Sequence, residues 1–173
     1  MKKQPIYLYV LGALSLISTL LKLPNVFATQ FPEIPYESTG DAQADAAIKA
    51  SQEFVKGSFT IQTNMISKFL VLVMLALLIA VAVFLFKKQY ETAGWIYVGY
   101  LGTTLLYQLY TFLASRHLLD LYTDETMRSV ASTSLLVGFG IQLLIFAVYL
   151  GITLFNLLRK PKVSRVDSTA GTI

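Results

Sequence analysis

From residue 69 to residue 86 every side chain is apolar, and the run is closed by Lys68 on one side and by Lys87 and Lys88 on the other. As a helix those eighteen residues cover about 27 Å, close to the hydrocarbon thickness of a bilayer, and the lysines at its ends can extend to the headgroups. Three more apolar stretches, at 6–27, 93–114 and 131–158, are each long enough to cross with some tilt. The pattern predicts an all-α integral membrane protein with four transmembrane helices in a bundle.

A different periodicity occupies the long segment between the first two stretches. After Pro32 and Pro35, the sequence Ser38-Thr39-Gly40-Asp41 reads as a turn ending in a helix cap. From about 41 to 56, Ala44, Ala47, Ile48, Ser51, Phe54 and Val55 fall on one face, and Asp45, Lys49, Gln52, Glu53 and Lys56 on the other. This predicts an amphipathic helix in the first extracellular loop, stopped by Gly57. Ile48, Phe54 and Val55 are the apolar side chains it offers to the bundle, the bilayer surface or a partner protein.

Charge gives the threading its direction, because Lys and Arg near the ends of spans are retained on the cytoplasmic side. Lys2, Lys3, Lys87, Lys88, Arg159, Lys160, Lys162 and Arg165 crowd short flanks on one side, whereas eight of the ten acidic residues lie in the loops on the other. Both termini are therefore expected in the cytoplasm, and the plasma membrane is the expected location. Residues 1–28 also fit a signal peptide cleaved after Ala28, although the apolar core at 6–21 is long for one, and a retained first helix is preferred. The organisation expected is a first helix at 1–28, an extracellular loop at 29–67, a three-helix region at 68–158 and a basic cytoplasmic tail at 159–173.

Composition narrows the function. At 55% hydrophobic and 14% charged, the chain lies far below the roughly 25% charge of soluble domains. Its net charge of +4 is accounted for by span-flanking residues, so no nucleic-acid partner is expected. With no cysteine in the sequence, disulfides, thiolate metal sites and iron–sulfur clusters are excluded. His117, Asp120, Asp124 and Glu125 form the one cluster resembling a metal or catalytic site. Helix capping behind Thr123 explains the acids equally well, so no catalytic, cofactor or metal site is expected.

Within the spans there is no Asp, Glu, His or Arg, which counts against a proton-coupled pump. There are instead seams of uncharged polar groups. Tyr97, Tyr100, Thr104, Tyr107, Gln108 and Thr111 project within about 100° of one another on the third span. Gly138, Gln142, Tyr149, Thr153 and Asn156 fall within about 60° on the fourth. Ser15, Ser18, Thr19 and Lys22 form a shorter version on the first. Polar groups facing lipid lack partners, so the third and fourth seams are expected to face each other. Small residues predict close helix approach at Gly99, Gly102 and Thr103, at Ala147 and Gly151, and at Ala76 and Ala80. The second span, having no polar atoms, is expected to be the most lipid-exposed, with Ala76 and Ala80 turned inward. The function expected is that of a non-enzymatic accessory or scaffolding subunit whose partners are the bilayer and another membrane protein or a second copy. The alternative is a small transporter or channel subunit for a neutral or amphiphilic solute, which would need a wet cavity lined by Tyr100, Thr104, Tyr107 and Gln142.

Overall fold

A computed structural model describes residues 5–31, 35 and 40–159. The described residues form helices, joined by short turns from α2 onward, with no strand among them. They are α1 (Ile6–Val26), α2 (Ala42–Thr63), α3 (Met65–Phe86), α4 (Tyr90–His117), a 3-10 turn (Leu118–Leu121) and α5 (Glu125–Leu158). Among the described residues three helices, α1, α3 and α5, are long and apolar enough to cross a membrane. α4 is longer than α1 and α3, but its tyrosines, threonines and Gln108 lower its hydropathy. It is the packing centre, with α3 along one side and α5 along another, while α1 lies against α3.

Local chemistry explains the boundaries. Gly40 adopts φ +82°, and the Asp41 carboxylate behind it accepts from the Gln43 N–H to start α2. α2 continues through Gly57 to Thr63 instead of stopping near residue 56. The reason lies far along the chain: the Leu118 side chain packs where a Cβ on Gly57 would stand 2.6 Å from its Cδ2. Gly57 is therefore a contact point, and a glycine in a helix need not end it when packing compensates for its entropy.

Asn64 alone separates α2 from α3. Its side-chain oxygen accepts from the Ser67 N–H at 2.8 Å, its amide nitrogen donates to the Tyr110 hydroxyl, and the Ser67 hydroxyl donates to the Ile61 carbonyl at 2.7 Å. These bonds let the chain reverse abruptly without orphaned backbone groups. At the far end of α3, Gln89 N–H reaches the Phe84 carbonyl and Lys88 takes φ 59°, a Schellman-type stop made with lysine in the left-handed position. α5 begins at Asp124, whose carboxylate accepts from the Met127 N–H at 2.9 Å. The cap is one residue later than the expected Thr123.

Burial reverses the expectation for α3. Ser67, Val71, Met74, Leu78, Val81 and Leu85 are buried, a row spaced by threes and fours, whereas Ala76 is exposed and Ala80 half-exposed. Larger side chains fill more of the space between helices and collect more dispersion contacts, so they outcompeted the alanines for the inward face. α5 is the exposed helix, with Thr153 its one buried residue. Gly99, Gly102 and Gly151 have open space where a Cβ would stand; the close approach of α4 to α5 occurs at Gly94, against Leu157.

Candidate functional site

The α4 seam divides into two halves with different neighbours. In the half nearer the α3–α4 turn, Tyr97 and Tyr100 are buried and their rings stack at 5.5 Å. Their hydroxyls meet α1 instead of α5. Tyr97 OH lies 2.8 Å from Ser15 Oγ, and Tyr100 OH lies 3.1 Å from Thr19 Oγ1. The geometry follows from spacing: Ser15 and Thr19 are four apart, Tyr97 and Tyr100 three apart, so each pair shares a helix face. α1 is closest to α3, and the long tyrosines bridge the wider gap to it from α4. Thr19 also donates to the Ser15 carbonyl at 2.8 Å, which leaves these buried hydroxyls supplied with partners. Above them the Lys22 ammonium sits 5.2 Å from the centre of the Tyr107 ring, a cation–π contact. Ser18, the remaining polar residue of the α1 seam, is exposed.

Thr104 donates to the Tyr100 carbonyl at 3.0 Å and approaches Met74 Sδ at 3.3 Å. Thr111 is equally local, within 3.0 Å of the Tyr107 and Gln108 carbonyls. On α5, Thr153 is fully buried and donates to the Tyr149 carbonyl at 2.7 Å, Tyr149 packs against the core, and exposed Asn156 donates to the Ile152 carbonyl. Several seam residues thus spend their hydrogen bonds on their own helix.

The half nearer α2 is open. Gln108 and Thr111 on α4 face Gly138 and Gln142 on α5 across a groove of about 200 Å³. Gln142 is exposed, and the buried Gln108 Oε1 has no hydrogen-bond partner. Phe112 and Phe139 stack at 4.3 Å in the same groove, and Ser115 and Ser134 complete its polar lining. The sequence reading missed these last four residues. The signal was there, since Ser134, Gly138 and Gln142 recur every fourth residue on α5 and Gln108, Thr111 and Ser115 do so by threes and fours on α4.

One protein family matches residues 1–166, and its description is "Domain of unknown function (DUF8777)". The chain belongs to that family. Both halves of the seam lie inside the matched region. No curated protein and no solved structure matches the chain.

The remaining candidates do not converge. His117 is exposed at the end of α4, Asp120 pairs with Arg128 at 2.6 Å with both side chains exposed, and Asp124 caps α5. No three His, Asp or Glu side chains gather in a metal-binding group among the described residues. Of the expected partner face, Phe54 is engaged by Tyr122 at 5.6 Å, Ile48 is half-buried and Val55 is exposed. α2 packs on the 3-10 turn and on α4, α1 and α3. Of the basic tail, Arg159 is described; Lys160, Lys162 and Arg165 lie outside the described residues, as do Lys2, Lys3, Ser38 and Thr39.

Proposed function

We propose that this is a four-span plasma-membrane protein serving as a non-enzymatic accessory or scaffolding subunit of a membrane complex. α4 supplies the fourth crossing: it is long enough, it packs lengthwise between α3 and α5, and its polar groups are largely turned inward. Both termini lie in the cytoplasm, and α2 is an amphipathic helix lying across the extracellular end of the bundle. The bonds from Ser15 and Thr19 to Tyr97 and Tyr100 support a retained first helix, because a cleaved segment would leave two buried tyrosine hydroxyls without partners.

The observation that carries the subunit reading is the exposure of α5. A helix of 34 residues is about 51 Å long, yet a single residue of it is buried, and exposed Val137, Leu144, Val148 and Phe155, spaced by fours and sevens, share one apolar face. Such a surface suits lateral association with another membrane protein or a second copy. The transport alternative has less support, since Tyr100 and Tyr107 are buried and the groove that holds Gln142 is not lined by them.

The test is extraction in polymer-bounded native nanodiscs followed by mass measurement. A stoichiometric complex is the expected result. A lone chain that carries a neutral solute across proteoliposome membranes overturns the reading in favour of transport.

A further inference from the structure

We propose that the groove between α4 and α5 binds the hydroxyl-bearing interfacial group of an uncharged lipid of the outer leaflet, and this rests on the four-span reading. Three observations lead there. The first is depth. Counting about 20 residues, one hydrocarbon crossing, from Leu158 along α5 reaches Phe139, and the same count from Tyr90 along α4 reaches Leu109. Both counts end inside the groove. Gln108 and Gln142 therefore stand just within the hydrocarbon, with Ser115 and Ser134 at the level of the headgroups.

The second is chemistry. The Gln142 amide is exposed in the groove and makes no hydrogen bond among the described residues, a costly condition inside hydrocarbon, and Gln108 Oε1 nearby is buried and unpartnered. An acceptor needs a donor, which ester carbonyls and choline headgroups lack. A hydroxyl both donates and accepts, so it meets the Gln142 amide whichever way its oxygen and nitrogen stand. No charged side chain lines the groove, so nothing in it favours a phosphate. The third is shape. A volume of about 200 Å³ is below the roughly 300 Å³ at which drug-sized pockets begin, and is matched to a glycerol or a single sugar ring. The stacked Phe112 and Phe139 offer it a flat wall. Exposed Ile145 and Ile152, on the same side of α5 as Ser134 and Gly138, continue downward, where acyl chains attached to that group would lie. A partner helix would need a longer trough.

The test uses the full chain in phosphatidylcholine nanodiscs doped with photoreactive lipids: diacylglycerol in one arm, monoglycosyl diacylglycerol in a second, phosphatidylcholine in a third. Cross-linked peptides are mapped by mass spectrometry. Peptides containing Phe112 or Phe139 are expected to be labelled about five- to tenfold more by a hydroxyl-bearing probe than by phosphatidylcholine, the ratio one hydrogen bond supplies. The arm that labels more strongly identifies the source as a glycerol hydroxyl or a sugar. Gln142→Leu, at an exposed position, should abolish the preference, and Gln142→Ala repeats the test, with folding of both variants checked by circular dichroism. Equal labelling by phosphatidylcholine, an undiminished preference in a folded variant, or capture of a polypeptide at these segments overturns the proposal. Because the sequence has no cysteine, single cysteines at Gln43, Gln89 and Thr123, before α3, between α3 and α4 and after α4, report threading independently in the same preparation. Correct threading without labelling removes the groove alone, and incorrect threading removes the four-span reading.

Discussion

The two halves of the α4 seam are built from similar chemical groups and do opposite things. Near the α3–α4 turn, tyrosine hydroxyls cross to Ser15 and Thr19 and disappear from the surface. Near α2, Gln108 and Gln142 line an open groove, Gln142 exposed in it and the Gln108 Oε1 buried without a partner. The difference lies in reach and neighbour. A tyrosine extends far enough to bridge helices whose backbones stay apart, and parallel α1 presents hydroxyls at matching spacing. α5 presents Gly138 beside the glutamines, which leaves a gap instead of a partner. Polar residues along a helix seam thus glue helices only where geometry completes the bond; elsewhere they line a recess.

The strongest way to break this contrast is to empty the closed half. Tyr97 is fully buried, stacked on Tyr100 and bonded to Ser15, so Tyr97→Ala should cost about 3 kcal/mol or more. Steric-trapping measurements of unfolding in detergent check it. A cost near zero would mean that α1 does not pack as described.

The open half should respond with the opposite sign. Replacing an unsatisfied buried amide by a hydrocarbon of similar size removes a desolvation penalty, so Gln108→Leu is expected to stabilise by up to about 1 kcal/mol in lipid-free detergent. A loss as large as that of a tyrosine variant would mean that the amide has a protein partner, and the two halves would no longer differ.

How far the sequence could reveal this arrangement depended on which side chains carried direction. The run at 69–86 announced a helix long and apolar enough to cross a membrane, because length and apolarity suffice for that. It could not announce its inward face, since a helix with no polar atoms carries no directional mark; small size pointed to Ala76 and Ala80, and packing chose Val71, Met74, Leu78 and Val81. The polar seams did carry direction, so the faces of α4 were legible. Their partners were not, because periodicity orients one helix without naming its neighbour. α2 overran Gly57 for a related reason: Leu118, some sixty residues later, fills the space beside it. The recess between Gln108 and Gln142 is a property of two helices together, invisible in either alone.

A finer comparison is available inside the closed half. In a double-mutant cycle, Ser15→Ala and Tyr97→Phe remove one hydrogen bond from either end, so their coupling isolates it from the packing each residue also contributes. A bond between membrane helices is worth about 0.6 kcal/mol, and a coupling of that size is expected. Additive effects would mean that Tyr97 finds its partner elsewhere, the Leu11 carbonyl at 3.5 Å being the other oxygen within reach.

The smallest effect is expected where a buried hydroxyl makes no crossing at all. Thr153 is as deeply buried as Tyr97, but its hydroxyl donates to the Tyr149 carbonyl one turn back on its own helix. That carbonyl already serves the α5 backbone ladder, and such back-bonding gives a helix nothing it needs from a neighbour. Thr153→Val keeps the branched shape and removes only the hydroxyl, so the change in unfolding free energy should fall below the roughly 0.6 kcal/mol of a cross-helix bond. Burial alone would rank Thr153 with Tyr97; the direction of the hydrogen bond separates them. If Thr153→Val instead cost as much as breaking the Ser15–Tyr97 bond, burial and not bridging would be what holds the closed half together.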